Sequence, residues 1–180
     1  MMRTFLWMIG GLGLGMIIHL IVILSLPSLA TENIWTRITA MDSFEKIVVL
    51  EDIVSHEPNP LRLDPELIYG VCRLDLSKGI GVINAHLPDA FWSVSVFDSL
   101  GQAVYGTTNR SGISQILQLG IFNKAQIRLL ATQQLDIEEG LLIVEAQSDD
   151  LFVIVRLSPP HQAMRERYKN RLHDVVCGHV

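Results

Sequence analysis

The sequence predicts a mainly β fold, a sandwich or jelly-roll-like pair of sheets with peripheral helices, attached to one N-terminal transmembrane helix. Three observations lead there. From Phe5 to Leu26 there is no Asp, Glu, Lys or Arg, and a helix needs roughly 20 apolar residues to cross the hydrocarbon core of a bilayer. Beyond it, short β-branched and aromatic runs recur at hairpin spacing, separated by Gly, Pro, Asp and Ser. The roughly 150 residues left after the anchor are the size of one domain with its own core.

The anchor, residues 1–30, comes first. The secretory alternative keeps its place, because Ser28-Leu29-Ala30 is a small-x-small pattern after Pro27, but a signal h-region is only about 7–15 residues long. The length favours a retained signal-anchor. Arg3 lies before the helix and Arg37 and Lys46 beyond it, so basic residues barely orient it. The short, signal-like start places the N-terminus inside and the domain, residues 31–180, outside. Gly11 and Gly15 form a small-xxx-small pair on one helix face, a pattern that permits close helix–helix contact in lipid. The neighbouring glycines do not make a dinucleotide fingerprint, since no strand precedes them and the spacing is not G-x-G-x-x-G. His19 is a polar group within the same helix and suits an interfacial or partner-bonded role.

After Pro27, Thr31 or Asn33 can cap a short helix carrying Ile34, Trp35, Ile38 and Met41, with Trp35 suited to the headgroup layer. Strands are expected at Lys46–Leu50, Val71–Leu76 and Ile80–Leu87. Phe91–Phe97 and Gln102–Tyr105 form the strongest hairpin, turning at Asp98-Ser99-Leu100-Gly101. Alternation puts Trp92, Val94 and Val96 on one face and Phe91, Ser93, Ser95 and Phe97 on the other. Ile116–Phe122 reads as a strand, with Asn123 capping a helix after it. Leu141–Ala146 and Leu151–Leu157 read as a second hairpin across Gln147–Asp150. Ser158, Pro159 and Pro160 open a final helix to about Val176, with a Met164, Tyr168, Leu172, Val175 stripe. Beside it, Arg165, Arg167, Lys169 and Arg171 make a basic cluster that suits either a solvated face or an anionic lipid surface.

A net charge of −5 gives no global reason to expect nucleic acid as a partner. Cys72 and Cys177 are too few for a cysteine-rich metal site. They could pair outside the cytoplasm; the alternative is one buried thiol and one loose C-terminal one. Ser93 and Ser95 with His86 and Asp98 supply the residue types of a nucleophilic site without the G-x-S-x-G elbow. His56-Glu57, His86 with Asp89, and His161, His173 and His179 lack the spacing of a metal motif. No catalytic residue, metal ligand or cofactor is therefore assigned. The polar group of most interest is Asp98, Tyr105, Asn109 and Arg110 near Trp92, residue types suited to holding a carboxylate or a sugar.

The anchor ending in Leu-Pro, Val71-Cys72-Arg73-Leu74-Asp75-Leu76, Phe91-Trp92-Ser93-Val94-Ser95-Val96-Phe97-Asp98, Asn109-Arg110, Leu142-Ile143-Val144-Glu145 and Val155-Arg156-Leu157 together resemble the small membrane proteins of the domain of unknown function 1254 (DUF1254). The resemblance covers nearly the whole chain. It implies a bacterial, mostly β protein of the inner membrane or cell envelope, and a companion protein of the domain of unknown function 1214 type. It carries no catalytic residues. The functional expectation is a non-enzymatic binding module on the bilayer, its domain in the periplasm; the alternative is an enzyme acting on a small extracytoplasmic substrate at the Trp92–Arg110 region.

Overall fold

The computed structural model describes residues 2–29, 33–54, 56, 58–110, 115–133 and 140–180. Ala30, Thr31 and Glu57, singled out above, lie outside the described residues. The chain divides into two compact units, Met1–Asn33 and Ile34–Val180.

The first unit is helix α1 (Met2–Leu29). Its stretch Met2–Leu26 is long and apolar enough to cross a membrane, and none of that apolar surface is buried within the molecule. Large side chains such as Leu12, Ile18 and Leu24 are exposed, and a hydrocarbon environment removes the cost of such exposure.

The second unit is a β-sandwich. Helix α2 (Ile34–Thr39) leads to β1 (Val48–Val49), β2 (Ile68–Asp75), β3 (Gly81–His86), β4 (Trp92–Asp98), β5 (Ala103–Thr108) and β6 (Ile116–Asn123). Helix α3 (Lys124–Gln133), β7 (Leu141–Ala146), β8 (Asp150–Leu157), a 3-10 turn (Gln162–Met164), α4 (Arg165–His173) and β9 (Val176–His179) complete it. One sheet has the order β1-β2-β8-β4-β5 and the other β7-β6-β3-β9. Pairing is antiparallel except between β6 and β7, whose parallel register needs a crossover connection that α3 provides. Asn123 caps α3 as expected: its Oδ1 accepts from the Ala125 and Gln126 amides, and the Gln126 Oε1 accepts from the Asn123 amide. That reciprocal pair is a capping box.

Strand alternation builds the core. Trp92, Val94 and Val96 point inward with Cys72, Leu74, Val153 and Val155, opposite Ile83, Leu119 and Ile121 of the second sheet. Ser93 and Ser95 stay half-buried on the outer face, and Phe91 is exposed. Asp98 holds the hairpin turn, its Oδ1 accepting from the Leu100 and Gln102 amides, while Gly101 supplies a φ of 80°. A left-handed backbone there favours glycine.

Three expectations are corrected. The second hairpin does not form: β7 pairs with β6, whereas β8 lies between β2 and β4 in the other sheet. A polar turn reverses the chain without choosing partners. β8 is covered on both faces, Val153 in the core and Phe152 beneath α2, so it takes a central place with a neighbour on each side. Trp35 packs within the sandwich unit, its ring 6.3 Å from that of Phe152, and Ile38 is buried against Val71 and Phe152. The outer face of this sheet is too apolar to stay bare, and α2 covers it.

The last helix is shorter than expected at both ends. Ser158 and the prolines lead through His161 into the 3-10 turn Gln162–Met164, and α4 starts at Arg165 and stops at His173. The chain then straightens, and β9 completes the second sheet by pairing Cys177 opposite Ile83. That placement forms the Cys72–Cys177 disulfide, with a Cα–Cα distance of 6.6 Å, between strands of the two sheets. There is no loose C-terminal thiol. Helix α4 packs its stripe into the space beside β1 and β2, where Tyr168, Leu172 and Val175 are buried in the core. Gly70 makes room: a Cβ there would meet Ile47 and Leu172 side-chain atoms at 3.1 and 3.3 Å.

Candidate functional site

The hairpin residues are not gathered into one site. Trp92 is buried and opens β4, Asp98 closes it, and the six residue steps between them span about 20 Å in a strand. Tyr105 faces inward and packs against the core. Asn109 and Arg110 are exposed just past β5, where the Asn109 amide donates to the Trp92 carbonyl. Trp92, Asn109 and Arg110 therefore share one end of the hairpin, and Asp98 is occupied with turn chemistry at the other. Nor do the serines meet a base: Ser95 Oγ accepts from Arg156 at 3.0 Å on the outer face of one sheet, while His86 ends β3 in the other. Among the described residues no group of three His, Cys, Asp or Glu is placed to hold a metal ion.

The basic helix divides into two pairs. Arg165 is buried, donates from Nε to Asp52 at 2.7 Å, and donates from Nη2 to the Leu67 carbonyl at 3.0 Å. Lys169 reaches the other oxygen of Asp52 at 2.6 Å. Hydrogen bonding from Arg165 holds the Asp52 carboxyl below its ordinary range, and the bond to Asp52 raises the Lys169 ammonium. These two cations are structural, which removes them from any lipid-facing role.

Arg167 and Arg171, one turn apart, point elsewhere. With Tyr168 and Met164 they line one wall of a cleft of about 310 Å³. The opposite lining is His86, Leu87, Pro88 and Asp89, where the chain passes from β3 in one sheet to β4 in the other, together with Gln115 at the start of β6. The Leu87 amide donates to the Gln115 carbonyl at 2.8 Å and ties these two segments together. Neither guanidinium has a hydrogen bond or ion pair among the described residues. Tyr168 is 5% exposed as a residue, and its solvent-reached hydroxyl has no partner among them either. Leu87, Met164 and Tyr168 make the apolar floor, and His86, Asp89, Gln115 and Arg167 the exposed polar rim. At the low end of ligand-site volumes, the cleft suits a small molecule or a single functional group. The basic cluster of the helix is visible in the sequence, but this wall of the cleft is not. The Arg167–Arg171 spacing of four was visible; the loop that faces it was not.

No family model matches this chain, and no curated protein matches it. The VPA0106 protein from Vibrio parahaemolyticus, a crystal structure, is similar with a TM-score of 0.54 at 9% identity, over 66% of this chain and 29% of that one. At that identity the likeness concerns the fold alone. A putative uncharacterized protein from Burkholderia cenocepacia reaches a TM-score of 0.42 at 10% identity, over 72% of this chain and 36% of its own. The chain thus spans about a third of the length of these neighbours.

Proposed function

We propose that this protein is a membrane-tethered binding module of the bacterial cell envelope, holding a disulfide-clamped β-sandwich on the periplasmic side of the inner membrane. The observation that carries the reading is the pairing of Cys72 with Cys177 in a domain that follows a bare apolar helix. Disulfides persist in oxidising compartments and are rare in the cytosol, and an exposed span of 25 residues finds its solvent in lipid. The resemblance to the DUF1254 group supports the same placement, and it makes a companion protein of the 1214 type the first partner to look for.

A binding role is favoured over catalysis because the residue types that resemble a nucleophilic set are committed elsewhere: Ser95 to Arg156 and Asp98 to its turn. Two measurements test the proposal. An alkaline phosphatase fused after Val180, active only outside the cytoplasm, is expected to be active, with the mature protein keeping its N-terminus by mass spectrometry. An inactive fusion overturns the topology, and a mature chain beginning at Thr31 overturns the anchor. Purification in mild detergent at near-native expression is expected to bring a protein partner with it; recovery of the chain alone counts against the interaction role.

A further inference from the structure

We propose that the cleft between α4 and the β3–β4 crossing is an oxyanion site, binding a small carboxylate or phosphate group through Arg167 and Arg171, with the Tyr168 hydroxyl as a third donor. The assignment deepens the binding reading above and rests on it.

Two cations at i and i+4 on a short helix repel each other, and the described residues offer them no neutralising contact. Their neighbours Arg165 and Lys169 show what the fold provides when a cation of this helix belongs to it: Asp52, from the segment after β1, faces them. A guanidinium presents its donors as a planar fork that matches the oxygens of carboxylate and phosphate. Two such forks side by side make a wall of donors. Tyr168 lies in the same lining, its ring buried and its hydroxyl open to the cleft solvent without a partner among the described residues, so that hydroxyl is free to act as a third donor. The floor of Leu87 and Met164 lowers the local polarity and strengthens charge–charge contacts. Asp89 in the same lining opposes a bare anion and selects ligands whose oxyanion sits beside a hydroxyl or ammonium donor.

The test is a phosphorus NMR titration of inorganic phosphate against the full chain in phosphatidylcholine nanodiscs at low salt, with acetate as a carboxylate probe followed by proton NMR. Saturable binding of at least one probe is expected. Losing one charge-assisted contact is expected to weaken it about tenfold for Arg167→Gln and for Arg171→Gln, and severalfold for Tyr168→Phe. Asp89→Asn is expected to tighten binding severalfold, a gain that a purely structural role would not produce. Arg128→Gln, an exposed cation on α3, is expected to change nothing.

A further arm repeats the titration in nanodiscs containing phosphatidylglycerol. If phosphate no longer binds there, the natural oxyanion is a lipid headgroup; if binding persists, it is a free solute. Binding of neither probe, or equal binding by wild type and the Arg167→Gln/Arg171→Gln variant at unchanged melting temperature, overturns the site. Neither result touches the topology, which the phosphatase fusion reads independently.

Discussion

Two sides of one helix, α4, use the same residue types for opposite ends. Toward β1 and β2, Arg165 and Lys169 share both oxygens of Asp52, and Arg165 is buried while doing so. Toward the β3–β4 crossing, Arg167 and Arg171 meet Asp89, His86 and Gln115 across open space. The difference is not in the helix but in what faces it. A cation opposite a carboxylate within hydrogen-bond reach becomes part of the fold; a cation opposite a cleft keeps its charge for something else.

The contrast can be broken most severely by freeing the chain that carries α4. The disulfide closes a loop of 105 residues just beyond α4, and loops of that length contribute about 4.7 kcal/mol in the chain-entropy picture. Replacing Cys72 and Cys177 by Ala is expected to lower the urea midpoint accordingly, or to prevent folding. An unchanged midpoint would mean that the pairing of β9 with β3 alone holds the helix.

Next in size is Leu172, fully buried on the stripe between the two cationic sides. Leu172→Ala is expected to cost about 3 kcal/mol through lost burial and a residual cavity, read as a lower melting temperature. A loss under about 1 kcal/mol would place the stripe outside the core.

The Asp52 side of the comparison is sharpened by Asp52→Asn, expected to cost about 1–2 kcal/mol and to alter the pH profile. The folded carboxyl titrates below its ordinary value, so the folded state holds fewer protons than the unfolded one in the acid range. Its contribution is present above roughly pH 4 and fades as pH falls through the lowered value. The wild type should therefore lose stability in that window, and Asp52→Asn should lose less of it. Parallel acid profiles would assign the effect to other carboxylates, Asp75 among them, whose bond from the Ser77 hydroxyl lowers it too.

The smallest effect belongs to the cleft side. Arg167→Gln and Arg171→Gln are expected to move stability by less than about 0.5 kcal/mol, as surface changes without partners do. A slight gain is the natural sign, since one of two repelling charges is removed. A loss as large as that of Asp52→Asn would make these arginines structural after all.

Local chemistry was legible wherever it depends on near neighbours along the chain. The alternation Trp92-Ser93-Val94-Ser95-Val96 announced its two faces, Asp98 and Gly101 announced their turn, and Asn123 announced its cap. The stripe Met164, Tyr168, Leu172, Val175 likewise announced a face that packs. Pairing was less legible. Leu141–Ala146 and Leu151–Leu157 look like two arms of a hairpin, because each is an apolar run beside a polar turn, and nothing in either run names the sheet it joins.

The sequence by itself thus determined a helix fit for a bilayer, a mainly β domain of short strands, and which side chains of the Phe91–Phe97 strand share a face. Those properties follow from run length, period and turn chemistry, all set within a few residues. The tertiary structure alone decided that β8 is central, that Trp35 packs on Phe152 rather than standing free, and that the final residues form a strand bringing Cys177 to Cys72. It also decided the division of labour on α4, because a guanidinium's role depends on what lies across from it. Asp52 lies 113 residues from Arg165 in sequence and within 2.7 Å in space, a meeting that no local pattern records.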